Sequence, residues 1–334
     1  MSYLKLAFCT VLLALVVVML GAYTRLSDAG LGCPDWPGCY GHLTVPETPT
    51  EIQKAQNAFP GQIVEAPKAW KEMIHRYFAG ALGILILVLA VWAVVRKRTI
   101  HTQPVILPIL LVLLVAFQVV LGMWTVTWKV LPIVVSAHLL GGFAILALLW
   151  YLFLKTNTKT LQPIQAFYLK PWVVMGLCIL IVQIFLGAWT STTYSALACQ
   201  DFPYCHGSLF PPLALQQAFQ LFQPIGINYE GGVLETPVRI TIQMMHRYGA
   251  FITALYLGML GLWIVFANKT EGLRSTAGVL LVLLVLQVLL GIANVMMKLP
   301  LSMAVAHNGV AALLLLTLLT LIYKLRGMNR HVTV

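Results

Sequence analysis

Eight apolar segments, at about 6–23, 77–95, 105–125, 132–154, 171–190, 240–266, 276–296 and 300–323, constrain this chain more than any other feature. Each is long and apolar enough to cross a hydrocarbon layer of ~30 Å. In lipid only helices and closed barrels satisfy their own backbone. Charged residues make up 9% of the sequence, where a soluble domain would carry roughly 25%, so these runs are not buried core helices of a soluble protein. The expected fold is an all-α polytopic membrane protein with eight transmembrane helices. Lys5 precedes the first apolar run, as in a signal peptide. A repeat within the chain gives that run an internal counterpart, so it is read as a retained helix.

The positive charge is uneven and fixes an expected topology. With the N-terminus in the cytoplasm, the cytoplasmic segments hold Lys5, Arg96, Lys97, Arg98, Lys155, Lys159, Lys170, Lys269, Arg274, Lys324, Arg326 and Arg330 against Glu271 alone. That excess equals the whole formal net charge of +11; the basic and acidic residues on the outer side cancel. The positive-inside rule then puts both termini in the cytoplasm and the cysteine-bearing loops outside. The basic balance is spent on topology and gives no sign of a nucleic-acid partner. No Arg-rich, Ser-rich transit peptide precedes the first span, so a bacterial plasma membrane is expected rather than a mitochondrial one.

The chain reads as a tandem duplication. Leu20-Gly21-Ala22-Tyr23-Thr24 returns as Leu186-Gly187-Ala188-Trp189-Thr190, and Cys33-Pro34-Asp35-Trp36-Pro37-Gly38-Cys39 as Cys199-Gln200-Asp201-Phe202-Pro203-Tyr204-Cys205. His75-Arg76-Tyr77 returns as His246-Arg247-Tyr248, Gln118 and Gly122 as Gln287 and Gly291, and Ala137-His138 as Ala306-His307. Two four-helix halves, 1–160 and 161–334, follow from these landmarks. An even number of spans returns each half to its starting side, so the expected arrangement is two tandem four-helix bundles related by a pseudo-two-fold axis along the membrane normal. The link 156–165 joins them inside. The long loops, about 26–70 and 191–238, lie outside and should carry short helical pieces over the helix ends.

Four histidines, His75, His138, His246 and His307, fall on the even-numbered spans, about five to eight residues past each helix start. At 1.5 Å per residue they share a level roughly 8–12 Å deep. A lone intramembrane histidine is as readily a hydrogen-bonded packing residue as a ligand. Four at one depth, paired by duplication, favour ligands, because polar residues in a span are costly and usually functional. Two imidazoles from neighbouring helices of a bundle suit the two axial positions of a heme iron. Zinc fits less well, since nothing else at that level completes a tetrahedral set. Arg76 and Arg247 either meet heme propionates or snorkel to headgroups. Gln118 and Gln287 read as interhelical hydrogen-bond partners. Gly80, Gly83, Gly141 and Gly142 read as packing positions.

The pairs Cys33/Cys39 and Cys199/Cys205 each enclose five residues in an outer loop. In an oxidising compartment they would close as the local disulfides Cys33–Cys39 and Cys199–Cys205. A structural role and an exchangeable redox couple both remain open. Cys9 and Cys178 lie in spans and read as small buried hydrophobes. His42, His101, His206 and His331 have no consistent counterparts and are set aside.

Together, the eight spans, the duplicated halves, Glu72-Met73-Ile74-His75-Arg76 and the loop Gly30-Leu31-Gly32-Cys33-Pro34-Asp35-Trp36-Pro37 resemble the heme A synthase family of cytochrome oxidase biogenesis. The resemblance covers essentially the whole chain. It implies oxidation of a ring methyl of heme O to the formyl group of heme A through a hydroxymethyl intermediate. It implies a heme b cofactor in the C-terminal half, carried onto His246 and His307 with Arg247 nearby. It implies the substrate heme O in the N-terminal half, on His75 and His138 with Arg76 nearby, and it matches the family's acid to Glu72. The implied partners are heme O synthase, cytochrome oxidase assembly factors, membrane lipid and an electron acceptor that the sequence does not identify.

The residues support the same division of labour. Gln243 stands where Glu72 does in the first half. A site that only passes electrons has no need of an acid, whereas removing hydrogen from a methyl group benefits from a base or negative charge near the ring. Glu72 is therefore the candidate catalytic residue, against a plainer role as partner of Arg76 or Lys71. An alternative function, a quinol-linked di-heme b electron carrier, uses the same histidines but leaves the Glu72/Gln243 difference unexplained. A quinone-linked thiol oxidoreductase would not need the histidines. A heme transporter would need a charged path to the cytoplasmic side.

Overall fold

A computed structural model of the chain describes residues 2–98, 100, 103–157, 166–268 and 270–326. Lys159, Lys269, Arg330, His101, His331 and most of the link 156–165 lie outside the described residues. The helices are α1 (Tyr3–Leu26), α2 (Pro49–Ala58), α3 (Ala66–Lys97), α4 (Ile106–Thr127), α5 (Pro132–Thr156), α6 (Lys170–Thr192), α7 (Leu215–Ala218), α8 (Thr236–Ala267), α9 (Glu271–Met296) and α10 (Leu301–Lys324). A single 3₁₀ turn, Phe167–Leu169, leads into α6. Among the described residues no strand forms, and eight of the helices are long and apolar enough to cross a membrane. The chain is a multi-pass membrane protein.

Local chemistry explains the helix starts. The Ser2 hydroxyl accepts the Lys5 N–H at the head of α1, and Thr48 and Glu51 form a reciprocal capping box on α2. Proline occupies the first turn of α3, α5, α6 and α8, where its missing N–H costs nothing.

Two helices depart from their expected bounds. Both α3 and α8 have 32 residues, about 48 Å at the α-helical rise, and α3 begins eleven residues before the predicted 77. Hydropathy reports only the stretch that lipid covers. The polar turns that run outward from it are helical because Pro67 and Pro237 initiate there and the outer loops pack on them. His75 and His246 therefore lie nine and ten residues past their helix starts, and His138 and His307 six.

In the first half α1 packs on α3 and α5, and α4 closes the ring against the same two helices. In the second half α6 and α9 stand in the same relation to α8 and α10. α3 and α5 are thus diagonal, as are α8 and α10. The halves meet through α1 on α10, α5 on α6 and α5 on α10. Toward the helix ends away from the cysteine loops one apolar core runs through both halves, from Leu6, Leu89 and Leu149 to Leu257, Leu280 and Leu318. Lipid offers no hydrophobic drive for helix association, so close packing at small residues carries it. A Cβ on Gly261 would stand 2.7 Å from Leu281 Cδ2, and one on Gly176 2.9 Å from Leu257 Cδ2.

At the cysteine-loop end of the junction, residues related by the repeat touch each other. The Arg25 guanidinium donates to Ser191 O at 2.6 Å and lies 4.0 Å over the Tyr194 ring, while Tyr194 Oη donates to Asp28 at 3.0 Å. Both 25/191 and 28/194 are separated by the 166 residues that relate α1 to α6.

Candidate functional site

The two cysteine loops are built to one plan. In the first, Asp35 accepts the N–H groups of Tyr40 and Gly41; in the second, Asp201 accepts those of His206 and Gly207. Tyr40, Gly41, His206 and Gly207 all have positive φ, which these bonds to the aspartates hold in place. Cys33–Cys39 and Cys199–Cys205 are disulfides with Cα–Cα distances of 4.8 Å, and all four sulfurs are buried. Burial withholds them from the thiolate attack that an exchangeable couple requires. Cys9 and Cys178, expected to be buried, are instead exposed on outward helix faces. In a span such a face meets lipid, which suits a thiol as well as a core does.

Each loop is latched to its long helix by the residue three positions before the first histidine. Glu72, 4% exposed, accepts the Cys33 N–H at 2.9 Å and pairs with Arg76. Gln243, 3% exposed, accepts the Cys199 N–H through Oε1 and donates from Nε2 to Ala196 O at 2.6 Å and Cys199 O at 3.2 Å. Arg76 also donates to the carbonyls of Asp35, Pro37 and Gly38, and Arg247 to those of Cys199, Asp201 and Tyr204. Both arginines thus knit the loops to the helices. The partner of Glu72 is Arg76, not Lys71, whose ammonium sits 5.6 Å from the Tyr23 ring centroid.

The histidines face inward, and the diagonal placement of their helices brings them together. The rings of His75 on α3 and His138 on α5 are 6.5 Å apart between centroids and nearly perpendicular, at 88°. A metal bonded to one nitrogen of each ring at about 2 Å would hold two imidazole centroids roughly 6 Å apart. The pair therefore fits a bis-imidazole iron site. Among the described residues no cluster of three or more His, Cys, Asp or Glu offers an alternative metal set.

A glycine on the adjacent helix lies against each ring. A Cβ on Gly21 would stand 3.0 Å from His75 Cε1, on Gly122 3.4 Å from His138 Cε1, on Gly187 3.1 Å from His246 Cε1, and on Gly291 3.2 Å from His307 Cε1. These four glycines were visible in the repeated motifs, Leu-Gly-Ala before the first loop and Gln-x-x-x-Gly before the second histidine. Their role became evident only with the rings beside them. Of the glycines singled out from sequence, Gly141 packs closest: a Cβ there would overlap the Gln118 amide, at 1.8 Å from Nε2.

The glutamines divide. Gln287 reaches from α9 to His307, with Nε2 3.2 Å from the ring Nε2, as an interhelical bond should. Gln118 instead lies over Gly141, and its buried amide nitrogen has no partner. A third glutamine, Gln183 on α6, lies with Nε2 3.0 Å from His246 Nδ1. Sequence reading passed over it, although a lone amide in an apolar span was signal enough. Beside the second-half site a groove of about 620 Å³ opens between α1 and α10, lined by Met19, Tyr23, Leu301, Ser302, Val305 and Ala306.

Known proteins are similar to this sequence over most of its length. Residues 5–319 match the family model described as cytochrome oxidase assembly protein. A heme A synthase of Shewanella oneidensis is 49% identical over 316 residues, covering 94% of each chain. Heme A synthases of Allorhizobium ampelinum and Shouchella clausii are 28% and 26% identical, covering 93% and 98% of this chain and 87% and 97% of their own. On the strength of that full-length match, this chain belongs to the heme A synthase family of cytochrome oxidase assembly proteins.

Proposed function

We propose that this protein is a heme A synthase. It oxidises a ring methyl of heme O to the formyl group of heme A, through a hydroxymethyl intermediate, for delivery to cytochrome oxidase. The observation that carries the reading is the facing pair His75 and His138, 6.5 Å apart across the first half, in a chain whose 49%-identical relative bears that name.

In this reading the halves are two bundles about an axis along the membrane normal. Contact between the repeat-related residues Arg25 and Ser191, and between Asp28 and Tyr194, supports an axis beside the outer ends of α1 and α6. His75 and His138 hold the substrate porphyrin, and His246 and His307 hold a heme b. That resident heme, when bound, supplies a one-electron relay for the electrons withdrawn from the substrate. The disulfide-closed loops cover the outer helix ends and shield the histidine level from water.

Glu72 is the acid of the reaction site, taking up a proton or stabilising positive charge as the methyl is oxidised. The second half supports this. Gln243 performs the same latch to the loop cysteine with a neutral amide, so the latch alone needs no charge. A carboxylate kept in the first half therefore has a use beyond the latch. Arg76, bound to Glu72 and to three loop carbonyls, fixes its position. The cytoplasmic termini, the outer cysteine loops, the bacterial plasma membrane, and hand-over from heme O synthase and to assembly factors belong to this same proposal.

Porphyrin extraction tests it. Purified from membranes supplied with heme O, the protein should yield heme b together with heme O, its hydroxymethyl form or heme A. Heme b alone would overturn the reading and favour an electron carrier.

A further inference from the structure

The duplication allows the two halves to be compared position by position, and one difference falls directly on a histidine. At the spacing that maps Gly21 onto Gly187, Val17 maps onto Gln183. The Gln183 amide nitrogen is 3.0 Å from His246 Nδ1 and 3.0 Å from the carbonyl oxygen of the same residue, so one side chain grips both ring and backbone. Room for it comes from Gly249, where a Cβ would stand 2.3 Å from Gln183 Oε1. At the spacing that maps His75 onto His246, Gly249 maps onto Phe78. The first half therefore lacks both the amide and the space for it. Val17 presents only its main chain to His75, whose buried Nδ1 has no side-chain partner.

We propose that Gln183 is a positioning residue that braces His246 as a permanent heme ligand, and that its absence at Val17 leaves the His75 site able to exchange its porphyrin. This rests on the assignment of heme b to the second half. A ligating histidine needs its second nitrogen held, because that bond fixes the tautomer and ring orientation; its loss typically costs about 10–100-fold in affinity. Coordination through Nε2 puts the ring proton on Nδ1. The amide then turns its oxygen, buried and unpartnered as the side chain now stands, to that proton and gives up its bond to the His246 carbonyl. An enzyme that releases product from one porphyrin site and retains cofactor in the other needs this inequality. A pair of substitutions on two different helices supplies it.

The test uses the full-length protein in detergent, with heme transfer to excess apomyoglobin as the clock and a spectroelectrochemical titration as a second readout. Gln183→Val should speed loss of heme b roughly 10–100-fold and shift its midpoint potential. Gln183→Glu, which can still accept the ring N–H, should restore retention and lower the potential. The reverse pair, Val17→Gln with Phe78→Gly, should slow release of the first-half porphyrin without touching heme b. Wild-type retention and potential in Gln183→Val would overturn the proposal. Retention of all heme b in His307→Ala would overturn it differently, by showing that the second half is not the heme b site.

Discussion

Replacing Glu72 by glutamine separates the charge of the acid from its structural duty, and the protein already contains the control. In the second half Gln243 accepts the Cys199 N–H as Glu72 accepts that of Cys33, so the variant keeps the latch. What it loses is the ion pair with Arg76, whose two side chains are 13% and 6% exposed. Removing one partner of a buried pair costs about 3–5 kcal/mol when the other is stranded. Arg76 would not be stranded, because the carbonyls of Asp35, Pro37 and Gly38 remain. A loss of about 1.5–3 kcal/mol, the scale of one charge-assisted hydrogen bond, is therefore expected. If Glu72 moves a proton or steadies charge during methyl oxidation, turnover should fall about 10²–10⁴-fold. The assay is conversion of heme O to heme A in membranes, read by chromatography of extracted porphyrins, beside a thermal melt and a heme b count. A folded variant with normal heme b and no heme A is expected. Full turnover would refute the argument and leave Glu72 as a latch.

Three further outcomes follow from the same geometry. Gly187→Val should crowd His246, 3.1 Å from the new Cβ, and reduce heme b content, whereas Gly278→Val, with nothing within 4 Å, should not; equal heme content in both would contradict the cushion role. Cys199→Ser with Cys205→Ser should lower stability by about 2 kcal/mol, the loop-closure scale for so short a ring, and leave turnover per folded molecule unchanged; turnover lost with an unchanged melt would point to redox cycling. The N–H groups of Gly207 and His206 hold the Asp201 carboxyl below its ordinary value of 3.8. A depressed pKa contributes stability that is complete above the unfolded value and lost as pH falls through the folded one. Protection of the Gly207 amide, relative to its intrinsic exchange rate, should therefore fall only below about pH 4, and loss of protection near neutrality would show that the bonds to Asp201 are not what hold the loop.

The parts of this molecule that were legible in its sequence are those that obey one-dimensional rules. Bilayer thickness fixes span length, and a fixed offset reveals duplication, so the eight helices and the four histidines could be read directly. The outward extension of α3 and α8 was not legible, because hydropathy is silent about polar helix beyond the lipid. The destination of Arg76 was not legible either. A guanidinium beside a candidate heme ligand could satisfy propionate and loop carbonyl alike, and only the fold of 33–42 over α3 shows which groups it meets here. The glycines at 21, 122, 187 and 291 are the intermediate case. Their recurrence was plain, but a glycine acquires meaning only from what stands where its side chain would be, and that required the histidine rings.

A duplicated membrane protein can use its halves for different work only if the difference is written where the copies would otherwise be equivalent. Here the latch, the disulfide loop, the histidines and their glycines are held in common by both halves. The departures cluster on the histidines of α3 and α8. Glu72 against Gln243 alters charge three residues before the histidine, and Val17 with Phe78 against Gln183 with Gly249 alters what the ring meets. The two changes act on different partners, the loop latch and the ring nitrogen, and in the proposed reading on different quantities, one on the reaction and one on the residence of what reacts. Exchanging them separately should therefore give separable phenotypes. Glu72→Gln would make a half that binds and does not convert. Val17→Gln with Phe78→Gly would make one that converts once and does not let go, seen as a single-turnover burst of heme A that stays with the protein. A steady multiple-turnover rate in that double variant would show that residence is set elsewhere.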